Sequence, residues 1–228
     1  MEFSPNIVNI DKNESIDKNT EISDNEKLKK RKENRKKALK SEYLFTKFLN
    51  SRDIPFYYID QSKILYSKHF KDYKITRPDF VAYTKNNTFY IDVKYRKKQN
   101  FGKEGEERFY LSQNNMTRLN NFQKEYQSDV WIAFTNNLET PEFYFSSLTE
   151  IFHLYNCIKY RMNKSYYDGI LEYFDLCPIY IPYSLLYNCF SFNDGFYNNF
   201  DTELIKKETE NHINKTIDFI YMSFKNTD

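Results

Sequence analysis

The order of apolar and polar positions along the chain predicts an alternation of helices and strands. A helix is predicted over residues 26–50, because apolar side chains return with a helical spacing in its second half. The elements predicted after it are a short strand, a β-hairpin, a helix, two strands and a helix, over 54–60, 80–95, 114–126, 129–135, 142–146 and 147–162. This order indicates a mixed α/β fold in which helices flank a central mixed sheet.

Composition divides the chain into three regions. Residues 1–25 are rich in Asn, Asp, Glu and Ser and are predicted to be an acidic tail that does not fold alone. Residues 26–162 form the predicted core. Residues 163–228 form an aromatic-rich, mainly helical C-terminal addition, with an amphipathic helix predicted over 202–224 and no clear periodicity over 165–200.

The hairpin over 80–95 is the centre of the candidate chemistry. Because side chains alternate across a strand, one face of its second strand is predicted to be apolar, with Phe89, Ile91 and Val93. Asp92 and Lys94 share the opposite face, and Asp79 opens the partner strand directly after Pro78. Buried charges are costly unless they are paired or bind a metal ion. A cluster of Asp79, Asp92 and Lys94 at one end of the sheet therefore indicates a site.

An all-oxygen set of donors suits a hard divalent cation. We expect Asp79, Asp92 and the carbonyl of Val93 to bind Mg²⁺ or Mn²⁺. A bound ion would polarise a phosphate and lower the pKa of a bound water molecule. Lys94 is expected to orient that water or to neutralise charge in the transition state. The alternative interpretation is that Asp92 and Lys94 form a surface ion pair of little energetic value.

Two further residues are candidates for the same site. Glu42 lies on or beside the apolar face of the first predicted helix. It is interpreted either as a boundary residue with its carboxylate in water or as a metal ligand, direct or through water, or a base. Gln113 begins the helix that Ser112 is predicted to cap, where it could hold a phosphate or a site water. A flexible loop is predicted before it, because Gly102 and Gly105 stand among charged residues.

The combination of these residues, and not Asp-x-Lys alone, is informative, since Asp72-Tyr73-Lys74 is a second Asp-x-Lys without strand character. Pro78-Asp79 followed by Asp92-Val93-Lys94 resembles the PD-(D/E)xK motif of the restriction-endonuclease-like nuclease superfamily, closest in style to its Holliday-junction-resolvase-like and restriction-type branches. The resemblance covers roughly residues 40–146.

The resemblance implies a restriction-endonuclease-like core and Mg²⁺-dependent hydrolysis of phosphodiester bonds, usually in DNA. Glu42 matches a glutamate that branches of this superfamily carry on the first core helix, and Gln113 matches a glutamine that some carry just after the motif strand. The glutamine–tyrosine pattern of the exonuclease branch is absent, because Gln123 and Tyr126 are too close in sequence. This absence argues against a recombination-type exonuclease.

Local charge agrees with a nucleic-acid partner, although the net charge is only +2. Residues 26–40 hold nine Lys or Arg against two Glu, which indicates either a phosphate-contacting arm or a solvated helix face. Further basic residues follow the motif strand. The predicted nucleic-acid-binding residues are Lys36, Lys37, Lys40, Arg96, Lys97, Lys98, Lys103 and Arg108.

Together these features predict a metal-dependent endodeoxyribonuclease. The alternatives are a catalytically weak or inactive nucleic-acid-binding module with the same fold, and a nuclease directed at RNA. Cleavage of both strands of a duplex requires two sites, which is compatible with a homodimer.

The chain has no P-loop or GxGxxG motif, so no nucleotide cofactor is expected. It has no long apolar run and no CxxC pair, so a cytoplasmic protein without membrane, disulfide or zinc sites is expected.

Overall fold

A computed structural model describes residues 24–62, 66–84, 87–101, 106–165, 179–182, 185–186, 189–191, 195–197 and 202–225. Lys103 and nearly all of the predicted acidic tail lie outside these ranges. The chain divides into two compact units, residues 1–34 and residues 35–228. In the first unit, residues 25–34 are exposed and belong to the basic beginning of the first helix. The second unit holds the sheet and the candidate site.

Five helices and ten strands lie within the described residues. They are α1 (Asp24–Asn50), β1 (Phe56–Tyr58), α2 (Lys68–Asp72), β2 (Phe80–Tyr83), β3 (Thr88–Tyr95), β4 (Gln99–Phe101), β5 (Glu106–Leu111), α3 (Gln113–Tyr126), β6 (Val130–Thr135), β7 (Tyr144–Ser147), α4 (Leu148–Ser165), β8 (Ile179–Ile181), β9 (Cys189–Ser191), β10 (Gly195–Tyr197) and α5 (Thr202–Lys225).

A five-stranded mixed sheet with the order β1-β2-β3-β6-β7 forms the centre of the molecule. The predicted hairpin is confirmed, since β2 and β3 pair antiparallel with Phe80 opposite Ile91. On its other edge β3 pairs parallel with β6, with Asp92 opposite Ile132, and β7 then continues the sheet antiparallel. This mixed α/β architecture confirms the predicted fold class and is consistent with a restriction-endonuclease-like fold.

Two hydrophobic clusters cover the two faces of this sheet. Phe45 and Leu49 of α1 pack on one face, against the side chains of Phe89, Ile91 and Val93. The other face is covered by α3, α4 and α5, and there the ring of Tyr90 lies 5.2 Å from the ring of Phe122. The predicted division of β3 into two faces is therefore confirmed. The interior position of β3 explains why its residues at 91–93 are buried on both faces.

The segment before α3 differs from the flexible loop that its glycines predict. Strands β4 and β5 pair antiparallel on either side of residues 102–105, which lie outside the described part. The side chains of Phe109 and Leu111 in β5 are buried in the hydrophobic core. These two apolar side chains stabilise a strand where the charged neighbours and glycines suggested a loop.

The C-terminal third shares this core. Strand β8 pairs with β5 and contributes Ile179 and Ile181, so a segment without clear periodicity forms part of the packed interior. Helix α5 packs on α4 and adds the buried side chains of Ile213, Ile217 and Ile220.

Two leucines are exposed although they belong to helices that were predicted to carry an apolar face: Leu39 of α1 is 51% exposed and Leu204 of α5 is 45% exposed. Both lie before the buried stretch of their helix, which begins at Ser41 in α1 and at His212 in α5. Of the helices in the described part of the chain, none combines the length and the apolar character that crossing a membrane requires.

Candidate active site

Asp79 and Asp92 lie close together at one end of the β2–β3 hairpin, where the charge of each acts on the other. Asp79 stands just before the paired stretch, and its N–H donates a 3.0 Å hydrogen bond to the carbonyl of Ile91, the residue opposite Phe80. Asp79 is 7% exposed and Asp92 is 1% exposed. Two acidic side chains are therefore held together at the end of a hairpin, away from water.

The carboxylate of Asp79 is held by the motif strand itself. Its Oδ2 accepts a 2.8 Å hydrogen bond from the backbone N–H of Val93. Burial and the negative charge of Asp92 raise the pKa of Asp79 well above its ordinary value, and the Lys94 charge and the Val93 hydrogen bond only partly oppose this. Further positive charge would therefore stabilise the ionised form of Asp79.

Lys94 supplies the positive charge that this pair of acids has in the structure. Its ammonium forms an ion pair with Asp92, and the two side chains are 18% and 2% exposed. Burial opposes the charged form of Lys94, but the charges of Asp92 and Asp79 outweigh it and raise its pKa. Lys94 is thus an ammonium at neutral pH in this arrangement, suited to stabilising negative charge rather than to accepting a proton.

Glu42 approaches the cluster from helix α1. It lies one turn before Phe45, whose buried ring fixes this part of the helix against the sheet. Burial raises the pKa of Glu42, the Tyr58 hydrogen bond and the charge of Lys94 lower it, and the charge of Asp92 raises it. Glu42 therefore lies close enough to both charged groups of β3 to interact with them electrostatically.

The donor set is compatible with a hard divalent cation. Glu42, Asp79 and Asp92 against Lys94 give a net charge of −2 when all four groups are ionised, and every side-chain donor except Lys94 is an oxygen. Among the described residues, no group of three or more His, Cys, Asp or Glu side chains is arranged to hold a metal ion. Binding of a metal ion by Asp79, Asp92, the carbonyl of Val93 and Glu42, the last directly, through water or as a base, stays a prediction.

Gln113 takes the predicted position at the first turn of a helix. It is the first residue of α3, which Ser112 caps by accepting a hydrogen bond from the N–H of Asn115. Strand β5 leads directly into this cap. A contact between Gln113 and the acidic cluster stays a prediction.

Within the described residues, the predicted nucleic-acid-binding residues lie on α1, in the connection between β3 and β4, and on β5. Lys36 and Lys40 are exposed on α1, and Lys37 beside them is half-buried. After β3, Lys97 is exposed, while Lys98 and Arg108 are half-buried. Arg96 is partly engaged within the protein, since its guanidinium donates to the carbonyl of Tyr95 at 2.9 Å and lies 5.5 Å from the ring centre of Tyr110.

Two residues beside the site were not identified from the sequence. The hydroxyl of Tyr58 donates a 2.7 Å hydrogen bond to Oε2 of Glu42. The side-chain amide of Gln61 donates a 2.8 Å hydrogen bond to the carbonyl of Pro78, next to Asp79. Strand alternation places Tyr58 on the same face as Phe56, toward α1, but the sequence gives no sign of how closely the helix passes.

Comparisons with known proteins add little to this geometry. No family model matches the chain, and no curated protein does. Among solved structures, the chain is similar to Hjc, a Holliday junction resolvase from the archaeal hyperthermophile Archaeoglobus fulgidus, with 18% sequence identity and a TM-score of 0.35 over 49% of this chain and 77% of that chain.

Proposed function

We propose that this protein is a nuclease of the PD-(D/E)xK superfamily, a Mg²⁺-dependent endodeoxyribonuclease that hydrolyses phosphodiester bonds in DNA. The observation that carries the proposal is the meeting of Asp79, Asp92 and Lys94 at the buried end of one hairpin. Buried acids are costly in a fold unless they are paired or bind a metal ion, and here one ammonium faces two aspartates.

Each residue of the site has a distinct role in this proposal. Asp79 and Asp92, with the carbonyl of Val93, hold Mg²⁺ or Mn²⁺. Lys94 stabilises the negative charge that develops on the phosphate in the transition state, because it stays protonated beside Asp92. Glu42 accepts a proton from the attacking water or binds the metal through water.

When bound, the metal ion would act as a Lewis acid toward the phosphate and lower the pKa of a bound water. The protein contributes the cage of oxygen donors and a site from which most bulk water is excluded. Gln113, at the start of α3, is proposed to hold a phosphate or a site water.

Nucleic acid is proposed to reach this site along basic residues on α1 and after β3. Exposed lysines such as Lys36, Lys40 and Lys97 are suited to phosphate contacts, which give affinity without sequence specificity. Lys37, Lys98, Arg96 and Arg108 are proposed to extend that surface, and Lys103, which lies outside the described residues, stays a prediction from the sequence. Cleavage of both strands would require two copies of the chain, and so a homodimer is part of the proposal for duplex substrates.

The decisive experiment compares two Asp-x-Lys sequences of the same chain. Wild type, Asp92→Asn and Asp72→Asn are incubated with duplex DNA, single-stranded DNA and RNA, with Mg²⁺, with Mn²⁺ and with EDTA. We expect metal-dependent internal cleavage of DNA by wild type and by Asp72→Asn, whose substituted side chain is exposed. Asp92→Asn, which keeps the size of the side chain, should be inactive and folded.

The other outcomes each favour a different conclusion. Full activity of Asp92→Asn would exclude the proposed site, and cleavage of RNA alone would redirect the proposal to an RNA nuclease. Salt-dependent DNA binding without metal binding or cleavage would favour an inactive nucleic-acid-binding module with this fold.

A further inference from the structure

Strand β1 connects the helix-borne acid of the site with the strand-borne acid. The backbone of Tyr58 pairs with that of Phe80, and the N–H of Ile59 donates a 2.8 Å hydrogen bond to the carbonyl of Asp79. The side chain of Tyr58 reaches in the other direction and donates its 2.7 Å hydrogen bond to Glu42. Tyr58 and the residue after it are therefore bonded to Glu42 and to the backbone of Asp79, the two sources of carboxylate.

The ring of Tyr58 is fixed as well as its hydroxyl. It packs edge-on against Phe80 with 5.2 Å between ring centres, and Phe80 packs in the same way against Phe45 at 5.1 Å. Phe45 follows Glu42 by one turn of α1. The packed rings fix the turn of α1 that follows Glu42, and the hydrogen bond from Tyr58 fixes the Glu42 carboxylate.

We propose that Tyr58 is a positioning residue of the active site, which orients the Glu42 carboxylate toward the cluster of Asp79, Asp92 and Lys94. The inference rests on the proposed nuclease function and adds a residue to it. A hydroxyl that donates to one oxygen of a carboxylate leaves the other oxygen to act on water or metal.

A nucleophilic role for Tyr58 does not fit the same surroundings. The hydroxyl of Tyr58 donates its hydrogen to Oε2 of Glu42, so its proton is engaged in that bond. A protonated phenol next to a carboxylate is a hydrogen-bond donor. The structure therefore favours orientation of Glu42 over attack on phosphorus by the tyrosine.

The neighbouring tyrosine provides a matched control. Tyr57 lies on the same strand, is 69% exposed against 46% for Tyr58, and packs its ring on Tyr83 at 6.0 Å. Because adjacent residues of a strand point to opposite faces, its hydroxyl lies on the face away from Glu42. Tyr57→Phe removes the same atom from the same strand without touching the Glu42 contact.

The test combines kinetics with a double-mutant cycle on the full chain. Tyr58→Phe, Tyr57→Phe, Glu42→Gln and the double variant Glu42→Gln/Tyr58→Phe are compared for kcat, for KM toward DNA and for Mn²⁺ affinity without nucleic acid. We expect Tyr58→Phe to lower kcat or Mn²⁺ affinity roughly 10- to 100-fold, as for other residues that orient metal-site groups. KM should stay unchanged, Tyr57→Phe should match wild type, and the double variant should match Glu42→Gln.

Two results would overturn the inference. One is an unchanged kcat and Mn²⁺ affinity in Tyr58→Phe, and the other is an equal further loss when Glu42 is already replaced, which would indicate a general structural role. If wild type binds Mn²⁺ but cleaves nothing, the proposed function fails. The role of Tyr58 is then tested by comparing the Mn²⁺ affinity of Tyr58→Phe with that of wild type. If wild type neither cleaves nor binds Mn²⁺, both proposals fail.

Discussion

The backbone N–H of Val93 donates a 2.8 Å hydrogen bond to Oδ2 of Asp79, so the strand that carries Asp92 and Lys94 also holds the first acid of the motif. The positions of the two acids are therefore set by one hairpin and not by separate elements. A change that loosens the β2–β3 pairing would disturb both acids together.

The ion pair of Asp92 and Lys94 predicts that substitutions at these two positions have strongly non-additive effects on the free energy of unfolding. Lys94→Met leaves the Asp92 carboxylate buried without its partner, and we expect the free energy of unfolding to fall by about 3–5 kcal/mol. The double variant Asp92→Asn/Lys94→Met removes both charges and should recover most of this loss. Urea unfolding of wild type, both single variants and the double variant measures the coupling.

Lys97→Met is the control for that experiment. Lys97 is exposed just beyond the same strand, and its replacement should change the free energy of unfolding by less than about 0.5 kcal/mol. A Lys94→Met variant as stable as wild type would show that Asp92 does not depend on the ammonium.

The raised pKa of Asp79 predicts that the free energy of unfolding of the metal-free protein depends on pH. Its raised pKa means that, between the ordinary pKa of Asp and the folded value, the folded state binds more protons than the unfolded state. The free energy of unfolding therefore falls as the pH rises through that interval. Asp79→Asn removes this loss, and its amide oxygen can still accept the hydrogen bond from Val93.

We expect Asp79→Asn to raise the unfolding midpoint of the metal-free protein at pH 8 by about 2–4 °C, the shift that ~1 kcal/mol produces in a domain of this size. The gain should shrink as the pH is lowered toward the ordinary pKa of Asp. Calorimetry at several pH values, with exposed Asp72→Asn as the control, measures it. A gain independent of pH would contradict the assignment to Asp79.

Lys97 is predicted to contact a phosphate of the bound nucleic acid. Lys97→Ala should weaken DNA binding for all sequences alike and reduce the slope of log K against log salt by about 1. Lys124→Ala is the matched control, because this exposed lysine lies in the last turn of α3 beside Gln123, whose side chain accepts a hydrogen bond from the N–H of Val130 at the opposite end of the sheet. Fluorescence anisotropy in EDTA over a range of KCl concentrations separates the two variants, and equal slopes would contradict the prediction.

Local patterns were sufficient for the elements on which the site is built. The alternation of β3, the Ser112 cap of α3 and the apolar run of β6 each reflect contacts that lie close in sequence, and all three are confirmed. Strand β5 was missed because its stability depends on pairing with β8, which lies about 70 residues further along the chain. Tyr58 was missed because its partner Glu42 lies on another element, and strand periodicity gives no distance to that element.

The pairing of β5 with β8 has a consequence for shortened forms of the protein. A fragment that ends after α4 would lose Ile179 and Ile181 and leave one edge of β5 without its strand partner. Unpaired strand edges are templates for association between chains. Such a fragment would therefore be prone to aggregation. The strand that leads into Gln113 would also lose its partner. A loss of activity on truncation would therefore not by itself show that the removed residues contact the substrate.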